Sequence, residues 1–303
     1  MQRSSVVRKT LLLVMAALVG FCLQSLPAQA GHHGKAKEAK KAILLVTFGT
    51  SVERAQKSFD TIDKEVKAAF PKTEIRWAYT SKIIRHKLAK KGTMIDSPEM
   101  ALARLMDDGY THVAVQSLHM IPGAEFHEIL ANANLFAQMA DGFKALRVSM
   151  PLLINDAAMQ QTLDIIKDQL VPKERKADEA VVLMGHGTHH TSDAIYSAMM
   201  YKAQKMDPNM YVGTVEGHPT FEEVRDALVA KKVTKVYLIP LMTVAGDHAM
   251  NDMAGDEPDS WKSQLAAVGI KAVPVMKGLG ELKAIDAMWI DHLKMSIGPK
   301  HHH

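Results

Sequence analysis

The chain has a single cysteine, Cys22, and it falls inside an N-terminal segment that reads as a removable leader. Arg3, Arg8 and Lys9 form a basic start, Leu11 to Leu23 an apolar run, and Ala28, Gln29 and Ala30 a small-x-small cleavage site. This is the layout of a secretory signal peptide. The apolar run is shorter than the roughly 20 residues that cross a bilayer, so no membrane span is expected. Bulky Phe21 argues against a lipid anchor on Cys22. Cleavage after Ala30 predicts a periplasmic protein without cysteine. Such a chain forms no disulfide, and any metal it holds must be bound by His, Asp, Glu or Met.

An excess of charge is missing too. Three of the 37 Lys and Arg residues lie in the leader, which leaves 34 against 33 acidic residues. That balance gives no support to nucleic-acid binding. There is no H-E-x-x-H helix, no C-x-x-C pair and no P-loop, so metalloprotease, redox-thiol and nucleotide-hydrolase chemistry lack their signatures. No nucleotide cofactor is expected. Aromatic residues make up only 6% of the chain, which disfavours a strongly apolar, protoporphyrin-type cleft.

What is present is an alternation of apolar runs with amphipathic stretches. Strands are predicted at Ala42–Phe48, Glu74–Tyr79, His112–Leu118 and Leu146–Met150, then at Ala180–Met184, Met210–Val215, Lys235–Leu241 and Ala272–Val275. Helices are predicted over Glu53–Phe70, Pro98–Asp108, Glu125–Ala140, Phe221–Ala230 and Ala284–Met295. Strands apolar throughout, separated by helices, indicate parallel sheets covered on both faces. The halves also align with each other. Ala42–Thr50 matches Ala180–Thr188 without gaps, and Thr111–Gly123 matches Thr234–Gly246. The expected architecture is α/β, with two similar doubly wound lobes of mainly parallel sheet and a cleft between them. A leader over 1–30, a loose tether over 31–41, an N-terminal lobe over 42–155 and a C-terminal lobe over 178–298 would divide the chain. A linker falls near Asn155–Asp178, and a homo-oligomer is left open.

Under this alignment His186 stands where the first copy has Phe48, and His248 falls opposite Glu125. Only the second copy carries both imidazoles, which points to chemistry on that lobe. A lone histidine at a turn is ordinarily a cap bonded to backbone. His186 differs in lying between Gly185 and Gly187, after a buried strand, where open α/β sheets present their ligand-handling groups. Glu216 ends the next strand and again precedes a glycine. Two imidazoles and a carboxylate suit Co²⁺, Fe²⁺, Ni²⁺ or Zn²⁺ with positions left open for substrate. Asp247 or Asp252 would orient the His248 ring. His119 ends a first-lobe strand and would face the same cleft. His189, His190 and His218 read as surface residues. His127, on a predicted helix beside Phe126 and Ile129, reads as half-buried packing, with ligation of a haem as its alternative.

Four segments go further: Val46–Ser51, Val115–His119, Met184–Gly187 and Pro240–Met253 resemble the sirohydrochlorin cobaltochelatases of the anaerobic cobalamin pathway. These are class II, ATP-independent chelatases related in fold to ferrochelatase. The resemblance runs from about Ala42 to Leu293. It implies a site for the metal at His186, Glu216 and His248, with insertion of Co²⁺, or in some settings Fe²⁺, into sirohydrochlorin. On that reading His186 and His248 take up the pyrrole protons. Thr50, Ser51, Arg54, Ser81, Lys82, Arg85 and His119 are candidates for contacts to the carboxylated rim of the tetrapyrrole. A periplasmic metal- or haem-binding carrier on the same scaffold is the alternative, suited to the export signal.

Overall fold

The computed structural model describes residues 39–297. The leader expected over 1–30 and nearly all of the tether lie outside the described residues. Eight strands form two parallel four-stranded sheets. The first holds β1 (Lys41–Thr47), β2 (Glu74–Tyr79), β3 (His112–Ser117) and β4 (Ala145–Ser149) in the order β2-β1-β3-β4. The second holds β5 (Glu179–Gly185), β6 (Met210–Thr214), β7 (Lys235–Pro240) and β8 (Lys271–Pro274) in the order β6-β5-β7-β8. The two orders are the same, as the internal repeat predicts. Glu179 pairs with Lys235 where Lys41 pairs with His112, so β5 sits on β7 much as β1 sits on β3.

Strand side chains alternate between two environments, which explains why the strands are apolar throughout. Ile43 and Leu45 of β1, with Val181 and Leu183 of β5, enter a core common to both halves. Leu44 and Val46 face a separate cluster with Leu102, Leu105 and Ile129. Val182 and Met184 likewise face Phe221, Val224 and Trp261. The halves are therefore joined by continuous apolar packing.

Nine helices cover these faces among the described residues: α1 (Gln56–Ala69, led in by a 3₁₀ turn at Glu53–Ala55), α2 (Lys82–Ala89), α3 (Pro98–Asp107), α4 (Ala124–Ala137), α5 (Asp156–Gln169), α6 (Ala194–Met206), α7 (Phe221–Ala230), α8 (Trp261–Ala267) and α9 (Lys283–Ile297). Their starts are written locally. Ser97 caps α3 with Pro98 just inside, and Thr220 with Glu223 closes a reciprocal capping box on α7, satisfying amides that would otherwise lack partners. Two features depart from expectation. The predicted linker contains α5, capped by Asn155 and burying Leu163 and Ile166. The final helix α9 does not stay with the second sheet. It packs on α1, β3, β4 and α5 of the first half, with Trp289 and Leu293 in the shared core. No helix among the described residues is long and apolar enough to cross a membrane.

Candidate metal centre

Three neighbouring strands of the second sheet end at one place. His186 follows β5, Glu216 follows β6 on one side, and His248 follows β7 on the other by way of the loop 241–247. The backbone ties them. Glu216 donates its amide to the His186 carbonyl at 2.8 Å, and Leu241 donates to Met184 at 2.8 Å. Gly187 is required by the close approach of these turns. It adopts φ +82°, and a Cβ there would stand 2.5 Å from the Gly217 nitrogen. A left-handed residue with no room for a side chain is glycine's role.

The imidazoles of His186 and His248 meet edge to face, with ring centroids 4.6 Å apart. Each ring is anchored through Nδ1. His186 Nδ1 lies 2.9 Å from the Gly187 carbonyl, and His248 Nδ1 lies 2.6 Å from Asp252 Oδ2. A carbonyl can only accept, so His186 carries its proton on Nδ1 and offers the Nε2 lone pair. The Asp252 carboxylate has the same effect on His248. Asp252 therefore does the orienting, while Asp247 is exposed and does not bond the ring. The Glu216 carboxylate is exposed and stands 4.0 Å from His186 Nδ1. As placed, no three His, Asp, Glu or Cys side chains among the described residues already enclose a point where an ion would sit. Glu216 stands on the Nδ1 side of His186, its carboxylate open to solvent.

The first half contributes a residue that strand-end reasoning missed. Glu125, at the start of α4, accepts from Thr80 Oγ1 at 3.3 Å and pairs with His119 Nε2 at 2.6 Å. Burial would raise its carboxyl, but the His119 bond and charge, the Thr80 hydroxyl and the nearby His186 together hold it below the usual range. An anion is thus kept within electrostatic reach of His186. The repeat had set Glu125 opposite His248, and that alignment was the available signal.

The other candidates divide. His119 is mostly buried and engaged at both ring nitrogens, by Ser117 Oγ at 3.0 Å and by Glu125. Both of its ring nitrogens are thus taken by bonds within the fold. Thr50 is buried, and its hydroxyl accepts from the Val52 amide at 3.1 Å. It also lies against Gly246, where a Cβ would come within 3.3 Å of its hydroxyl, so the halves touch two residues before His248. Ser81 caps α2 by accepting from Ile84. Arg85 donates to the carbonyls of Tyr79 and Thr80. Arg54 reaches the second half, donating to the Met276 carbonyl at 3.0 Å. Ser51 is half-buried and Lys82 exposed. His127 Nδ1 bonds the Gly123 carbonyl at 2.9 Å, and its ring lies 5.0 Å from that of His190. A cavity of about 650 Å³ opens beside Glu216, lined also by Asp193, His218 and Trp261. It includes Asp252 but neither imidazole of the centre.

Comparison with known proteins adds four findings. A family model described as cobalt chelatase (CbiK) matches residues 41–298. The chain is 40% identical over 258 residues to a sirohydrochlorin cobaltochelatase of Nitratidesulfovibrio vulgaris, covering 85% of this chain and 91% of that one. It is also 40% identical over 262 residues to the sirohydrochlorin cobaltochelatase of Salmonella typhimurium, covering 85% and 97%. In fold it is similar to the crystal structure of the sirohydrochlorin chelatase SirB from Bacillus subtilis subspecies spizizenii in complex with cobalt. The TM-score is 0.54 at 17% identity, over 86% of this chain and 97% of that one.

Proposed function

This chain belongs to the cobalt chelatase family, and from that premise we propose that it inserts Co²⁺ into sirohydrochlorin without hydrolysing a nucleotide. Insertion must strip two N–H protons from the macrocycle and replace water on the incoming ion. Imidazole is the side chain whose ordinary titration range suits proton uptake near neutrality. His186, His248 and Glu216 are assigned to the ion; as it passes to the macrocycle, the freed Nε2 of His186 takes up one pyrrole proton and the other leaves to bulk water. Glu125 lies within electrostatic reach of the imidazole that gains positive charge. Holding ring and ion in register lowers the barrier through positioning. The observation that carries the reading is the edge-to-face imidazole pair with both Nδ1 atoms occupied, which leaves the Nε2 lone pairs of two neighbouring rings as the uncommitted ligand atoms. Fe²⁺ suits the same donors and is proposed as a second metal substrate.

Anaerobic incubation of the protein with sirohydrochlorin and Co²⁺, followed by absorption, tests the activity. Metallation no faster than in buffer would end the proposal. The ligand role of His248 has its own test in Asp252→Asn. Losing the carboxylate that orients a ligating histidine is expected to raise the KM for Co²⁺ by about 10-fold or more, with the KM for sirohydrochlorin unchanged. An unaltered Co²⁺ response would remove Asp252 from the centre.

Export to the periplasm is proposed from the leader, and a second reading as a haem carrier rests on His127. Its Nδ1 bond to Gly123 leaves Nε2 as the available donor. Mature protein beginning at Gly31 in the periplasmic fraction supports export. A Soret band lost in His127→Ala would support the carrier reading, and its absence from the wild type would discard it.

A further inference from the structure

Phe48 occupies, in the first sheet, the position that His186 occupies in the second. Each residue directly follows the strand at the same place in its sheet order, β1 or β5. Each is followed by a glycine in the left-handed region, Gly49 at φ +96° and Gly187 at φ +82°, and then by a threonine. The repeated backbone thus brings a phenyl ring to the carboxyl edge of one sheet and an imidazole to that of the other.

Its surroundings connect Phe48 to the metal centre. The Phe48 carbonyl accepts from Ser81 at 3.2 Å, and the Thr47 carbonyl accepts from Thr80 at 2.9 Å. The Thr80 hydroxyl bonds Glu125, whose charge is within reach of His186. Two residues beyond Phe48, Thr50 lies against Gly246 beside His248. Yet Phe48 stays 46% exposed, while Val46 and Thr47 before it are buried. Single exposed apolar residues are ordinary on protein surfaces. This one stands at the carboxyl edge of its sheet, in the place that His186 takes in the other, and several polar neighbours are engaged within the fold. Thr50, Ser81, Arg85 and His119 are all held in internal bonds.

We propose that Phe48 is the apolar wall on which the face of the tetrapyrrole stacks, setting the macrocycle opposite the imidazoles. The inference deepens the chelatase reading and rests on it. An aromatic face suits this task because stacking on a π-system needs no directional hydrogen bond and tolerates a ring whose charges lie at its rim.

The test is titration of metal-free sirohydrochlorin into wild type, Phe48→Ala, Phe48→Tyr and Phe48→Trp, with steady-state kinetics for both substrates. By analogy with the cost of removing an aromatic stacking partner, Phe48→Ala should raise the Kd and KM for sirohydrochlorin about 10-fold. The KM for Co²⁺ and the melting temperature should not move, and Tyr and Trp should bind as the wild type does. A tetrapyrrole Kd for Phe48→Ala within about twofold of wild type, or a Phe48→Tyr as weak as the alanine variant, overturns the assignment. A matched loss in the KM for Co²⁺ overturns it as well, since the residue would then act on the ion. Wild-type protein that neither binds nor metallates sirohydrochlorin overturns the chelatase reading itself. Active wild type with an unaffected alanine variant overturns only the role of Phe48.

Discussion

Asp286→Leu is expected to make the protein more stable at pH 8 by about 2–4 kcal/mol, with no loss of chelatase activity. Asp286 lies on α9 and is fully buried, and neither carboxylate oxygen has a hydrogen-bond partner. Burial first, and then the charge of Glu65, push its carboxyl up to about 8, against the opposing pull of Lys283. The folded chain thus keeps a proton that the unfolded chain, titrating near 4, gives up. The direction follows from that difference. A raised folded pKa contributes stability below the unfolded value, and this is lost progressively as pH climbs to the folded one. Four units at about 1.36 kcal/mol each set a ceiling near 5 kcal/mol. Leucine removes the ionisation and the unpaired oxygens together. Asn removes only the ionisation and should recover less, because a buried amide without partners still carries a desolvation cost. Urea unfolding at pH 5 and pH 8 decides the matter. Wild-type stability should fall across that interval while the leucine variant stays level. A flat wild-type profile, or a leucine variant less stable at pH 8, refutes the account.

The strands were legible because burial on both faces leaves a plain apolar signature, and all eight lie within a residue or two of where the runs predict them. That His186, Glu216 and His248 stand beyond the ends of neighbouring strands was legible for a related reason. Each follows a strand at a glycine-containing turn, and neighbouring strands in a parallel sheet end side by side. What local pattern could not supply was a partner for each polar side chain. Ser81, Arg85 and His119 stand at strand ends just as a substrate contact would, yet their hydrogen bonds run to α2, to strand-end carbonyls and to Glu125. Glu125 looked like any acidic residue in a first helical turn. α5 was obscured by Asp156, Asp164, Lys167 and Asp168 on its outer face, though Leu163 and Ile166 keep helical spacing toward the core. The return of α9 to the first sheet is a long-range choice, with Trp289 and Leu293 finding more apolar surface there than chain order alone predicts.

His186→Asn separates the proposed proton acceptor from the turn that carries it. His186 makes one bond within the fold that a substitution must respect, from Nδ1 to the Gly187 carbonyl. The Asn amide nitrogen can take the place of Nδ1 and donate to the same oxygen, while offering nothing where Nε2 stood. The turn around Gly187, already confined by its left-handed backbone and by Gly217, should therefore persist, with an unchanged melting temperature. Chelatase turnover should fall about 10²–10⁴-fold, the contribution of a positioned acid–base group. His186→Ala should fall as far. His248→Ala and Glu216→Gln, by contrast, should weaken the response to Co²⁺ before they limit the rate at saturating metal, because neither is assigned a proton. The contrast matters more than any single loss. If His186→Asn keeps about a tenth or more of wild-type turnover, the imidazole is not the acceptor. If all four variants shift only the Co²⁺ requirement, the three side chains form a simple metal-holding set, and the protons leave by another route.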